Sequence, residues 1–141
     1  MATTTATLNI SSSDLTTGMP LSISANTTLT KTGLTDGLEL MEMGNAKVEV
    51  GSPTEHSLAE ALGTADSSNY VYICNTSTDI SYYTEIVIHE TIIGYLGSGE
   101  WLFMPWNMGD TAAEIEVQAL GGTNTLEYAI FKTAWTLPAA T

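Results

Sequence analysis

The sequence predicts an all-β protein: an antiparallel β-sandwich, jelly-roll or Greek-key-like, with an extended Thr/Ser-rich N-terminal arm. Three observations predict it. Apolar residues recur with a period of two, as in Ile115, Val117 and Ala119 against Glu114, Glu116 and Gln118, and that period separates a core face from an outer face. Some eight to ten such segments, each of about four to eight residues, are divided by Gly, Asn, Asp and Pro punctuation, with little helix-like pattern between them. Finally, 141 residues with 43% apolar and 13% charged side chains suffice for one core without disulfide or metal staples.

Composition shifts once along the chain, which divides it into an arm, residues 1–36, and a sandwich domain, residues 37–141. The arm is rich in Thr and Ser and has no aromatic residue. Its Leu8 and Ile10 alternate with polar neighbours, as do Leu21 and Ile23, a pattern of short half-buried strands that suits an arm pairing with a neighbouring sheet edge.

In the second part, residues 38–43 and 47–50 read as a hairpin joined across Gly44-Asn45. Residues 55–62 follow, where Leu58, Ala61 and Leu62 fall at helical spacing; a short helix and an irregular connection fit equally. Strands are expected at 70–74, 82–89, 91–96, 101–104, 113–119 and 126–132, with turns at Asn75, 97–99, 107–110 and Gly121-Gly122. Leu126, Tyr128 and Ile130 alternate with Glu127, Ala129 and Phe131. One segment is apolar on both parities. Trp101, Phe103 and Pro105 fall on one side and Leu102, Met104 and Trp106 on the other, so the strand is buried on both faces or one face meets a partner. Because aromatic anchors carry much interface energy, Trp101, Phe103 and Trp106 join Leu8, Ile10, Leu21 and Ile23 as candidate contact residues.

No catalytic, cofactor-binding or metal-binding residue is expected. Three Lys, no Arg and sixteen acidic residues give a net charge of −13, which argues against a nucleic-acid surface and against anionic lipid. His56 and His89 are the only histidines; His89-Glu90 opens like a zinc-protease motif, but Ile93 stands where its second His belongs. Glu39, Glu42, Glu49, Glu85, Glu114, Glu116 and Glu127 alternate with core positions as a solvated β face does, and Asp14, Asp36, Asp66, Asp79 and Asp110 form no calcium-loop array. Gly97-Ser-Gly99 reads as a tight turn rather than a nucleophile elbow, and Gly121-Gly122 lacks what a phosphate-cradling loop requires. Cys74, the single cysteine, reads as a small apolar residue on a strand. No stretch approaches the roughly 18 apolar residues of a membrane helix, and residues 1–10 carry no signal-peptide pattern, so a soluble chain made in a cytoplasm is expected.

Several segments, in order along most of the chain, resemble a known group. They are residues 8–15 (LNISSSDL), 29–33 (LTKTG), 70–77 (YVYICNTS), 96–106 (LGSGEWLFMPW) and 126–131 (LEYAIF). The chain resembles the small β-sandwich virion proteins of tailed bacteriophages, notably marine and cyanobacterial phages. The resemblance implies a head decoration (cement) protein without enzyme activity, bound to the major capsid protein in the virion and self-associated as a trimer or dimer. A tail- or fibre-associated protein recognising a host surface glycan is the alternative.

Overall fold

The computed structural model describes residues 3–16, 19–29, 37–50, 56–57, 67–88, 90–107 and 115–136. The chain divides into two compact units, Met1–Leu38 and Glu39–Thr141.

The first unit is a two-stranded antiparallel ribbon of β1 (Thr4–Thr16) and β2 (Met19–Leu29), both longer than the short strands expected. β-branched Thr and Ile suit so long a pleated run. The register runs from Thr4 opposite Leu29 to Ser12 opposite Leu21, and residues directly opposite share a face. One face therefore carries Ala6, Leu8 and Ile10 against Thr27, Ala25 and Ile23; the other carries only Thr, Ser and Asn, with Ser24 Oγ donating to Asn9 Oδ1 at 2.9 Å. Beyond β2, the Leu38 N–H donates to Thr4 Oγ1 at 2.9 Å.

The second unit is an antiparallel β-sandwich. One sheet has the order β3 (Glu39–Val48), β10 (Asn124–Thr136), β5 (Ser67–Asn75), β8 (Trp101–Asn107); the other has β4 (His56–Ser57), β9 (Ile115–Leu120), β6 (Tyr83–Ile88), β7 (Thr91–Leu96). Counted along the sandwich, the first sheet holds strands one, eight, three and six and the second holds two, seven, four and five, which is jelly-roll connectivity. The alternation expected at 115–119 is present in full, with Ile115, Val117 and Ala119 buried. Those three pack with Ile86 and Leu96 of the same sheet against Val48, Val71, Ile73, Trp106, Leu126 and Ile130 of the other, forming one core.

Two expectations change. Residues 38–43 and 47–50 form no hairpin: β3 runs straight through Gly44-Asn45, which pair with Tyr128 and Glu127 of β10. A Cβ at Gly44 would lie 3.2 Å from the Tyr128 hydroxyl, a tight contact, and that hydroxyl donates to Glu42 Oε1 at 2.6 Å. Within 55–62, His56 and Ser57 are strand and pair with β9; the rest of that segment, and His89, lie outside the described residues.

One end of the sandwich is closed by buried polar side chains. Asn75, at the end of β5, donates from Nδ2 to the carbonyl oxygens of Leu96 (3.0 Å) and Tyr82 (3.4 Å) in the opposite sheet's connections. Asn124, at the start of β10, donates to Thr84 Oγ1 at 2.9 Å and to the Tyr83 carbonyl. The 97–99 turn forms as expected, with Gly99 at φ 77° and the Gly97 N–H held by Glu100 Oε2 at 2.7 Å. At Gly122 the Tyr82 ring occupies the place of a side chain, since a Cβ would come within 2.2 Å of it.

Candidate functional site

Side chains alternate across the four-stranded sheet β3-β10-β5-β8, so the residues that fill the core leave a second set on its outer face. Cross-strand pairing sets these outer residues in three rows: Leu40, Phe131, Tyr70, Pro105; then Met43, Ala129, Tyr72, Phe103; then Asn45, Glu127, Cys74, Trp101. Tyr70 and Phe103 stack with centroids 5.3 Å apart and planes at 6°, Phe131 meets Phe103 edge-on at 6.3 Å, and Tyr72 leans on Trp101 at 6.5 Å. Such geometries fix the rings as a stiff surface. Among these twelve positions Glu127 is the one charge. Pro105 is tolerated because β8 is an edge strand, where a missing N–H costs no ladder bond.

Exposure is greatest at the rim of this grid: Met43 is 61%, Trp101 53% and Leu40 49% exposed, while Tyr70, Tyr72, Phe103 and Phe131 are half-buried. Burial pushes the Tyr72 hydroxyl up to about 12, helped by its hydrogen bond with Cys74 and by the nearby Glu127 charge. It stays a neutral donor across the physiological range.

The candidate residues sort clearly. Trp101 and Phe103 lie together on the outer face, as the parity argument requires of that pair. Trp106 is corrected: at 6% exposure it sits in the core with Val71 and Ile73, on the opposite parity, and offers no outer contact. The segment is thus buried on one face and exposed on the other. Leu8, Ile10 and Ile23 are exposed on the apolar face of the ribbon, and Leu21 on the same face is half-buried. Leu40, Met43, Tyr70, Tyr72 and Phe131 escaped the sequence argument, although the alternation that buries Val71 and Ile73 puts Tyr70 and Tyr72 outside.

The other sheet has a different outer surface. A shallow depression of about 290 Å³ is lined by Glu85, Val87, Glu90, Ile92, Glu116, Val117 and Gln118. Among the described residues, no three His, Cys, Asp or Glu side chains converge to hold a metal ion, and no helix is long and apolar enough to cross a membrane. Charge is divided unequally between the units. Residues 39–141 hold fourteen acidic residues against two lysines, a net charge of −12, whereas Asp14 and Asp36 against Lys31 leave residues 1–38 at −1.

Comparison with protein families, with curated proteins and with solved structures finds no match to this chain.

Proposed function

We propose that this chain is a bacteriophage capsid decoration, or cement, protein that binds the major capsid protein and stabilises the head. The observation that carries the reading is the aromatic outer face of the sheet β3-β10-β5-β8, nearly free of charge in a chain of net charge −13. An apolar surface of this kind, set on a stiff sandwich, works by contact area, and a cement protein needs little else. Jelly rolls serve as viral capsid domains and as lectins, so the strand order suits the role without assigning it. The resemblance of residues 8–15, 70–77 and 96–106 to phage virion proteins points the same way. On this reading the protein is made in the host cytoplasm and resides in the virion, with no cofactor, and its acidic surface disfavours the packaged genome.

The test is copy number per purified particle, by quantitative mass spectrometry against the major capsid protein. A simple fraction of the capsid protein's copy number is expected. A handful of copies overturns the reading and favours the second one, a tail-associated module that recognises a host glycan. Exposed Trp101, whose ring leans on Tyr72, is the observation on its side, because sugars stack on aromatic faces and the Tyr72 hydroxyl lies within reach of the Glu127 charge. Sugar-dependent quenching of tryptophan fluorescence would accompany it.

A further inference from the structure

Lysine is scarce in this chain, with three in all, and one of the three stands on the wrong side of a strand for a solubilising charge. Lys47 is exposed and pairs with Glu49 at 3.0 Å. Lys132 instead follows Leu126, Tyr128 and Ile130 along the core-facing side of β10, and it is half-buried there.

Register sets its neighbours. Lys132 lies directly opposite Asn69 of β5 on one side and Glu39 of β3 on the other, and Trp106 of β8 follows Asn69, so one row across the sheet reads Glu39, Lys132, Asn69, Trp106. Asn69 is fully buried and Trp106 nearly so, whereas Glu39 is exposed. An amine therefore stands between a carboxamide on the dry side and a carboxylate on the wet side. The ladder is also irregular on both flanks of Lys132, with register shifts between Ile130 and Phe131 against β3 and between Lys132 and Trp135 against β5. Irregularities of this kind re-aim side chains and gather beside reactive sites.

We propose that the Lys132 amine and the Asn69 carboxamide join in an intramolecular isopeptide bond, with Glu39 carrying the protons. Glu39 takes a proton from the Lys132 ammonium, and the freed Nζ lone pair attacks Asn69 Cγ. The Nζ–Cγ bond forms and the Cγ–Nδ2 bond breaks. Nζ gives up two protons in the process, both passed by Glu39 to the departing Nδ2, which leaves as ammonium; the carboxylate is restored, and nothing is oxidised or reduced. Residues directly opposite on antiparallel strands have Cβ atoms about 4.5–5.5 Å apart, a gap that a lysine stem covers. Free amines attack amides slowly in water, but here the nucleophile is held beside its target and the reaction need occur only once in each molecule. Glu42, the other carboxylate on the inner side of β3, lies opposite Ile130 and accepts from the Tyr128 hydroxyl, so Glu39 is the nearer to the amine in register.

The product ties β10 to β5, the two central strands of the sheet, and closes the chain between residues 69 and 132. It constrains the unfolded state as a disulfide would, in a chain whose single cysteine cannot form one internally.

The test is the intact mass of the purified full-length protein. A mass below that of the sequence by one molecule of ammonia is expected, and digestion at glutamate should release residues 61–85 and 128–141 as one branched peptide. A wild-type mass equal to that of the sequence overturns the proposal without reference to any variant. Lys132→Met should restore the full mass; a loss of ammonia that persists in it comes from another amide and overturns the proposal as well. Asn69→Asp should lose water in place of ammonia if it closes the same bond, and loss of ammonia from it counts against Asn69 as the acceptor. Glu39→Gln should leave most chains at full mass, and complete bond formation in it overturns the role given to Glu39. The inference goes beyond the decoration reading, and because its test needs no particle, either can fail alone.

Discussion

Asn75 joins the two sheets by donating to two carbonyl oxygens, that of Leu96 at the end of β7 and that of Tyr82 just before β6. Removing the amide strands a buried acceptor, so Asn75→Ala should cost about 1–3 kcal/mol, read as a lower denaturant midpoint at unchanged slope. Tyrosine gives a second prediction at this scale. Burial, with help from Cys74, holds the Tyr72 hydroxyl up at about 12, and the hydrogen bond to Glu42 raises that of Tyr128 above its ordinary 10.0. In the unfolded chain both give up their protons near the ordinary value. Between that value and the raised ones the native state binds more protons than the unfolded state, so this contribution to stability is complete at lower pH and is lost as pH climbs above 10. Phenolate absorbance should show Tyr72 and Tyr128 titrating later than in urea-unfolded protein, and the melting temperature should fall through the same interval.

Elements differ in how they were legible. β9 and β10 announce themselves because each has one buried face and one outer face, so hydrophobicity alternates along them. β8 is apolar on both sides, and sequence alone could not separate the core residues Leu102, Met104 and Trp106 from the outer Trp101 and Phe103. β3 misleads for another reason. Gly44-Asn45 carries a hairpin signal, yet both residues pair with β10 and the glycine lies close against the Tyr128 ring, a tertiary contact that local pattern does not report. The grid was half visible: Trp101 and Phe103 stand out in one segment, but Met43, Tyr72 and Phe131 join them only once three other strands are in register. The ribbon allows a prediction of its own. Among the described residues the core hydrophobics all lie between Val48 and Ile130, so a chain lacking residues 1–36 should keep a cooperative melt and its strand-type circular dichroism. Loss of cooperativity would mean that the sandwich draws stability from the ribbon.

At the scale of the whole molecule, charge opposes assembly while the apolar faces favour it. Two chains of net charge −13 repel through solvent over about 8–10 Å at ordinary ionic strength, and the repulsion is screened to roughly 3 Å at 1 M salt. An interface built on ion pairs weakens as salt is added. One built on the aromatic grid has almost no pairs to lose, so adding salt removes repulsion and leaves the attraction intact. Association measured by sedimentation equilibrium should therefore tighten from low to high sodium chloride. It should tighten as well when pH is lowered toward the isoelectric point near 4.1, because protonating carboxylates removes the same repulsion without touching the apolar contact. Weakening with salt would instead require Lys31, Lys47 or Lys132 to anchor the interface, and would locate it away from the faces named above.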